Sequence, residues 1–274
     1  MFSGLLSIPQ AVLLGIVEGI TEFLPVSSTG HLLVVGELIG FGTGSSSTAA
    51  DTYSIAIQFG AILAVLLLYR IRVWSAMKGL VGADADGRAF LIRLIVAFLP
   101  AAFLGVLAGD AMKSALFGPV PVTIAWVVGG VFLLRWKPTV GSVSLHEMPI
   151  RAALIIGCAQ SIALWPGVSR SLVTLVAALA VGLSMSAAIE FSFLLGLITL
   201  SSATALDLTK HGSELVDQFG ILAPAIGLVC AFITAVMAVK WMVGYLESHS
   251  LRVFGWYRLA IGAVSVVLLA TNVL

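Results

Sequence analysis

The sequence predicts an all-α polytopic membrane protein with six transmembrane helices and two re-entrant helix-loop-helix hairpins, arranged as inverted-topology repeats. The first reason is composition, because the 274 residues are 60% hydrophobic and only 10% charged. The second is a series of apolar runs long enough to cross a hydrocarbon core of about 30 Å. The third is a pair of apolar regions broken by polar motifs. No long strands of alternating polarity occur in the sequence, which excludes a β-barrel.

Six apolar runs are the predicted spans, since each covers or nearly covers the bilayer core at about 1.5 Å per residue. They are 52–69, 90–109, 120–134, 187–206, 219–239 and 256–274. Arginine and lysine are concentrated in the connections 70–93, 135–151 and 240–252. The positive-inside rule makes these connections cytoplasmic, which leaves both termini outside. Other arginines, Arg258 among them, are expected near span ends, where their long side chains reach the membrane surface.

Two further apolar regions, 4–41 and 150–183, are predicted to enter the membrane without crossing it. Their helical pieces, 11–24 and 172–183, would be only about 21 Å and 18 Å long. Short helices that meet at a polar turn indicate a re-entrant hairpin. Irregular backbone at this depth is tolerated only where it is buried in protein or lines a cavity.

The two hairpin regions also resemble each other at an offset of 142 residues, as from Gly15 to Gly157 and from Ser27 to Ser169. One hairpin and three spans in each half give repeats at approximately 1–140 and 150–274 within a single integral-membrane domain, 1–274. An odd number of spans inverts the second copy. The two hairpin tips can then meet near the midplane, as they do in inverted-repeat transporters.

The first hairpin carries acids inside an apolar stretch. Glu18 and Glu22 are four residues apart, which places both carboxylates on one helical face. Acids at membrane depth are costly, so this pair needs a metal, a proton or a polar cavity. The motif continues with three hydroxyls, a permissive glycine and a proton carrier, namely Ser27, Ser28, Thr29, Gly30 and His31. A capping or structural role for His31 is left open.

The second hairpin carries an isolated cation, Arg170, at its predicted tip. A guanidinium fork suits phosphate oxygens, although a structural pair with Glu18 or Glu22 is the alternative. Carboxylate, hydroxyl, imidazole and guanidinium together favour phosphoryl transfer. Because Arg170 alone would not neutralise a diphosphate, we expect the two glutamates to hold a divalent cation, Mg²⁺ or Ca²⁺. Gln160 is expected to line the cavity or to bridge helices.

At these residues the chain resembles the bacterial undecaprenyl-diphosphate phosphatase family, which is associated with bacitracin resistance. The similarity is carried by EGITEFLPVSSTGHL (18–32), IQFGAILAV (57–65), ALWPGVSRS (163–171), EFSFLL (190–195) and ATALDL (203–208). The resemblance implies hydrolysis of undecaprenyl diphosphate to the monophosphate carrier lipid and phosphate, which recycles the lipid for peptidoglycan synthesis. It also implies a multi-pass protein of the bacterial plasma membrane with its active site facing the outer, periplasmic side.

The resemblance also implies roles for individual residues. The catalytic set is Glu18 and Glu22 as metal or proton ligands, Ser28 as nucleophile, His31, and Arg170 as the phosphate ligand. We assign substrate binding to Ser27, Thr29, Gly30, Gln160, Ser169, Ser171 and Thr174. The chain departs from the family pattern at Leu172, where glycine is usual, and at Ser54, where an acid is common.

Two alternatives stay open at this point. Metal-bound water could replace Ser28 as the attacking group, and either Glu22 or His31 could take the proton. Inverted repeats also suit a lipid-phosphate flippase or an ion-coupled transporter, but hydroxyls and a histidine beside two acids favour an enzyme. The expected partners are a polyprenyl diphosphate lipid and membrane lipids, with no nucleic acid. A homodimer is one assembly that the apolar surfaces allow.

Overall fold

A computed structural model of the chain describes residues 6–41, 47–137 and 140–274. Within these ranges the regular secondary structure is helical, apart from one isolated bridge between Val143 and Leu183. Five of the described helices are long and apolar enough to cross a membrane. The prediction of an all-α polytopic membrane protein is therefore confirmed.

The described residues form eleven α-helices, with one 3₁₀ turn at Ser161–Leu164. They are α1 (Ile8–Thr21), α2 (Ser28–Leu38), α3 (Ser47–Leu68), α4 (Arg70–Leu80), α5 (Ala85–Leu116), α6 (Pro119–Arg135), α7 (Ile150–Gln160), α8 (Arg170–Ala180), α9 (Met185–Phe219), α10 (Leu222–Leu246) and α11 (Arg252–Ala270).

The long helices follow the predicted spans closely. The five candidate membrane helices lie in α3, α5, α9, α10 and α11. The remaining predicted span, 120–134, is α6, which has 17 residues and is about 25 Å long. The helix α9 continues through 209–218, which we expected to be a connection between spans. It ends only at Gly220, whose φ of 66° is a left-handed conformation that glycine adopts without strain.

The broken helices lie in both predicted hairpin regions. In the first hairpin, α1 has 14 residues and α2 has 11, and in the second α7 and α8 have 11 each. None of these four is long enough to cross a bilayer. The division into repeats at 1–140 and 150–274 stays a prediction, and residues 1–5, 42–46 and 138–139 of the first repeat lie outside the described residues.

Glycines bring each hairpin close to a long helix. A Cβ atom at Gly15 of α1 would collide with the backbone of Gly227 in α10. A Cβ atom at Gly157 of α7 would collide with the backbone of Ala97 in α5. The two glycines are one of the pairs related by the offset of 142. Each hairpin therefore packs its first helix directly against the backbone of a span.

Aromatic packing fixes the tip of the first hairpin against α9. The Phe23 side chain is fully buried and meets Phe193 edge to face, with ring centroids 5.1 Å apart. Such pairs contribute about 0.5–1.5 kcal/mol beyond the area that they bury. Because Phe23 follows Glu22 in the chain, this contact also holds the carboxylate in place.

Candidate active site

The two hairpins turn with the same backbone conformation. Ser27 has φ 73° and ψ 99°, and Ser169 has φ 78° and ψ 112°. A positive φ is uncommon for a residue with a side chain, and it recurs at functional sites. Each serine caps the helix that follows, since its hydroxyl accepts a hydrogen bond from the amide of Gly30 or Leu172. Leu172 is thus an ordinary residue in the first turn of α8 and needs no glycine conformation.

A cavity of about 160 Å³ lies where the two turns meet. The helices α2 and α8 both begin at its wall, at Ser28 and Arg170. Seven of the residues that we assigned to the site line it, namely Glu22, Ser27, Ser28, Thr29, Gln160, Ser169 and Arg170. Two polar residues from the long helices, Gln58 and Thr199, complete the polar lining.

Glu22 joins the chemistry of the two hairpins. Its Oε2 accepts a short hydrogen bond from the Ser28 hydroxyl. Its Oε1 forms an ion pair with Nη2 of Arg170 at 2.9 Å. Both charged side chains are almost fully enclosed, with exposures of 6% and 10%. A single carboxylate therefore lies between a hydroxyl and a guanidinium at the edge of the cavity.

Arg170 is held in one orientation by its surroundings. Its Nη1 donates to the carbonyl of Ser192 at 3.2 Å, and its guanidinium lies over the Phe23 ring at 5.2 Å. Gly196 makes room for it, because a Cβ atom there would collide with the guanidinium. The Nε atom has no hydrogen-bond partner in the part of the chain that the structure describes. The group is thus positioned in advance, and its Nε–H stays available as a donor.

Glu18 lies next to Glu22 but does not line the cavity. Its side chain is fully buried. Neither carboxyl oxygen has a hydrogen-bond partner among the described residues. A buried carboxyl without a donor is costly as an anion, so a proton or a cation is what this group requires. The position of Glu18 is therefore compatible with a bound proton and with a bound metal ion, both of which the sequence allows.

His31 lies under the first turn and not at the cavity. Its Nδ1 is 2.7 Å from the carbonyl oxygen of Ser27. Because a carbonyl only accepts, Nδ1 carries the proton, and Nε2 accepts from the Tyr257 hydroxyl at 2.8 Å. The ring stacks on Tyr257 and meets Trp126 edge to face. The same tight packing reaches Gly30, where a Cβ atom would meet Trp126.

Ser171 and Thr174 point into the protein. The Ser171 hydroxyl donates to the carbonyl of Leu24 at 2.8 Å, which links the second hairpin to the first. The Thr174 and Ser192 hydroxyls are 2.5 Å apart, which links α8 to α9. Gln160 does reach the cavity, and its amide nitrogen has no partner within the described ranges. Their roles in substrate binding stay predictions.

Arg258 is the important residue that sequence reasoning missed. We expected it near a span end, but its side chain is fully buried, and that expectation is wrong. The helix α11 begins at Arg252, so Arg258 lies nearly two turns inside it. The guanidinium fits there because Gly129 of α6 has no side chain to collide with it. An arginine within an apolar run, opposite a glycine pair in another span, was the available signal.

The carboxylates of Glu18 and Glu22 are too few to hold a divalent cation by themselves. Among the described residues, no three or more His, Cys, Asp or Glu side chains come together in a group that could hold a metal ion. Of the residues that the structure describes, only Glu22 brings a carboxylate to the cavity wall, with Glu18 beside it. Mg²⁺ is commonly bound by one or two carboxylates together with substrate phosphates and water. The donor set therefore fits a cation that binds together with a phosphate-bearing substrate.

Comparison with known proteins places the chain in a family. The family model described as bacitracin resistance protein BacA matches residues 11–264. The chain belongs to the BacA family. The match covers the turns of both hairpins and all the cavity residues named above, so the site lies wholly within the matched region.

Three curated proteins similar to this BacA chain are named undecaprenyl-diphosphatase. An undecaprenyl-diphosphatase of Sorangium cellulosum is 45% identical over 93% of this chain and 84% of its own length. One of Rhodopseudomonas palustris is 42% identical over 95% of this chain and 97% of its own length. One of Bradyrhizobium diazoefficiens is 43% identical with the same coverage, 95% and 97%.

Proposed function

We propose that this BacA-family protein hydrolyses undecaprenyl diphosphate to undecaprenyl phosphate and inorganic phosphate, which recycles the carrier lipid for cell-wall synthesis. The similar proteins are named for this substrate. The observation that carries the proposal is the contact of Ser28 with Glu22 and of Glu22 with Arg170, at the cavity between the hairpins. The Glu22 carboxylate thus contacts both a hydroxyl and a cation that suits phosphate.

The cavity is electrostatically suited to a diphosphate. Two helices of 11 residues, α2 and α8, direct their N-termini at it. The N-terminus of a helix carries a partial positive charge and free amides, which bind phosphate. Arg170 adds a full positive charge with a geometry that suits two phosphate oxygens. Ser27, Thr29 and Ser169 supply further hydroxyls at the same wall.

The proposed reaction begins at the Ser28 hydroxyl. Its oxygen attacks the terminal phosphorus while Glu22 takes the hydroxyl proton, and the bridging P–O bond breaks to release undecaprenyl phosphate. Water then hydrolyses the phosphoserine, which restores the hydroxyl and frees inorganic phosphate. The direct contact with Ser28 supports Glu22 over His31 as the proton acceptor. If water attacks directly, Glu22 would serve as its base in the same position.

We also propose a divalent cation, Mg²⁺ or Ca²⁺, held by Glu22 with support from Glu18. When bound, it would neutralise charge on the diphosphate oxygens. Arg170 keeps the phosphate oriented throughout, since Ser192 and Phe23 fix its guanidinium from the other side.

The proposed location is the bacterial plasma membrane, with the cavity open to the outer side. The apolar helices support the membrane location. The outer side is supported by the concentration of arginine and lysine in the connections 70–93, 135–151 and 240–252, which the positive-inside rule makes cytoplasmic. The substrate is a polyprenyl diphosphate lipid, and membrane lipids surround the helices. We retain a homodimer as a proposal, because exposed apolar side chains cover much of the surface.

One observation favours a second activity, movement of a lipid phosphate across the membrane by a flippase or an ion-coupled transporter. Two broken helices that meet in the protein interior are typical of transporters. Transfer of a fluorescent lipid phosphate between the leaflets of proteoliposomes would test it, with the Ser28→Ala variant separating transport from hydrolysis.

Phosphate release from undecaprenyl diphosphate by the purified protein tests the main proposal. We expect release that stops on addition of a metal chelator and returns with Mg²⁺ or Ca²⁺. The matched control is Ser202→Ala, which removes an exposed hydroxyl from α9. Absence of phosphate release from folded wild-type protein, with the cation present, would contradict the proposal.

A further inference from the structure

One side chain of α11 holds the turns of both hairpins. The Arg258 guanidinium donates to the carbonyl of Pro25 in the first hairpin at 3.2 Å. It also donates to the carbonyls of Gly167 at 2.8 Å and Val168 at 3.2 Å in the second hairpin. A fourth bond, to Ala125 of α6 at 2.8 Å, ties the same group to a neighbouring span. All four distances are normal for hydrogen bonds.

The arrangement is costly, which argues against an incidental contact. Arg258 is fully buried, and no carboxylate within the described ranges forms an ion pair with it. Its charge is compensated by carbonyl dipoles alone, while its Nε has no partner there. An enclosed cation of this kind in a membrane protein is by default a sign of function. Gly129 provides the space that the guanidinium needs.

The bonds lie close to the reacting groups on each hairpin. Pro25 is three residues before Ser28, and Val168 is two residues before Arg170. Trp126 and Trp165 each fasten one turn to α6, and the Ser171 hydroxyl joins the start of α8 to the first turn at Leu24. Arg258 instead bonds both turns through one rigid, planar group. This side chain therefore helps to set the separation of the Ser28 hydroxyl and the Arg170 guanidinium, together with the Ser171–Leu24 bond.

We infer that Arg258 is a positioning residue of the hydrolysis, which holds the Ser28 hydroxyl and the Arg170 guanidinium at the separation that in-line attack on phosphorus requires. The inference rests on the proposed function. Arg258 does not line the cavity, so it is not placed to contact a substrate there. Its effect is exerted through the two turns, where a displacement of about 1 Å is enough to slow a reaction about a hundredfold.

The test is the Arg258→Lys variant of the full-length protein, assayed for phosphate release from undecaprenyl diphosphate. Lysine keeps the charge but lacks the planar fork that reaches both turns. We expect kcat to fall about tenfold or more while KM changes by less than about threefold, since the cavity lining is intact. The control is Arg252→Lys, an exposed position on the same helix, which should leave both constants unchanged.

A double-mutant cycle separates positioning from loss of fold. If Arg258 acts by aligning Arg170 with Ser28, then Arg258→Lys should lower kcat only slightly further in an Arg170→Lys background, because that alignment is already lost. If Arg258→Lys lowers kcat by the same factor in both backgrounds, the inference is overturned. An unchanged kcat in Arg258→Lys would also overturn it. Wild-type protein without activity would instead refute the proposed function.

The Gly129→Ala variant tests the same point without changing the arginine. Its Cβ atom would push against the Arg258 guanidinium. We expect a fall in kcat of several fold and the same dependence on Arg170, even if Arg258→Lys does not fold. The matched control is Gly244→Ala, because a Cβ atom there meets open space. Equal activity of the two alanine variants would overturn the inference.

Discussion

The two hairpins share a backbone and differ in chemistry. Their turns have nearly the same conformation at Ser27 and Ser169, and each serine caps a helix of 11 residues. At the same offset, however, Ser28 corresponds to Arg170, and Glu18 corresponds to Gln160. The first hairpin thus carries the hydroxyl and the acids, and the second carries the cation. Neither hairpin alone has the groups for phosphoryl transfer, so the site requires both.

The difference extends to the packing below the turns. His31 of the first hairpin contacts Tyr257, whereas the corresponding position of the second hairpin is Val173, which makes no such polar contact. Both turns nevertheless bond to the same Arg258. A common scaffold therefore tolerates different side chains at equivalent positions, as long as the two turns stay fastened to each other.

The largest expected effect is that of Ser28→Ala. We expect hydrolysis to fall about a thousandfold or more while substrate still binds, because the attacking oxygen is lost. Rapid quenching of the wild-type reaction should trap phosphoserine at position 28. The comparison variant is Ser27→Ala, which removes a cap worth about 1 kcal/mol and should cost far less activity. Substantial hydrolysis by Ser28→Ala would mean that water attacks directly.

Replacing the two carboxylates, Glu22 and Glu18, should lower kcat to different extents in the same assay. Glu22→Gln should lower kcat about a hundredfold or more, since the proton acceptor for Ser28 is removed. Glu18→Gln should lower it less, about tenfold, because Glu18 does not reach the cavity and the second hairpin already uses Gln160 at the equivalent place. Titration of each variant with Mg²⁺ would show which carboxylate sets the cation requirement. Equal losses would remove the distinction between the two acids.

Replacement of Arg170 by lysine should have a smaller effect than loss of either reacting group. The charge stays, but one of the two phosphate contacts is lost, so we expect about a tenfold fall in kcat/KM. Phosphate release at several substrate concentrations would measure it. Turnover close to wild type would reduce Arg170 to a structural partner of Glu22, which is the alternative that the sequence left open.

The predictable part of the site consists of groups that are unusual within an apolar sequence. Glu22 and Arg170 could be found this way, because an acid or a cation at membrane depth stands out in the sequence. Arg258 was missed, because it lies close to basic residues of a predicted cytoplasmic loop and its place in an apolar run was the weaker signal. The direction of the His31 side chain was equally hidden, because it depends on Tyr257, 226 residues away. Packing between distant helices decided both cases.

The smallest expected effect is that of Tyr257→Phe, and it tests whether His31 is a support or a proton carrier. The variant removes the hydrogen bond to Nε2 of His31 but keeps the ring on which the imidazole stacks. One such bond is worth about 1 kcal/mol, so activity should fall at most about fivefold. The pH dependence of kcat should stay unchanged, because His31 lies outside the cavity and Glu22 takes the proton. A shifted pH profile would instead give His31 a part in proton transfer, and the asymmetry between the two hairpins would then extend to the reaction itself.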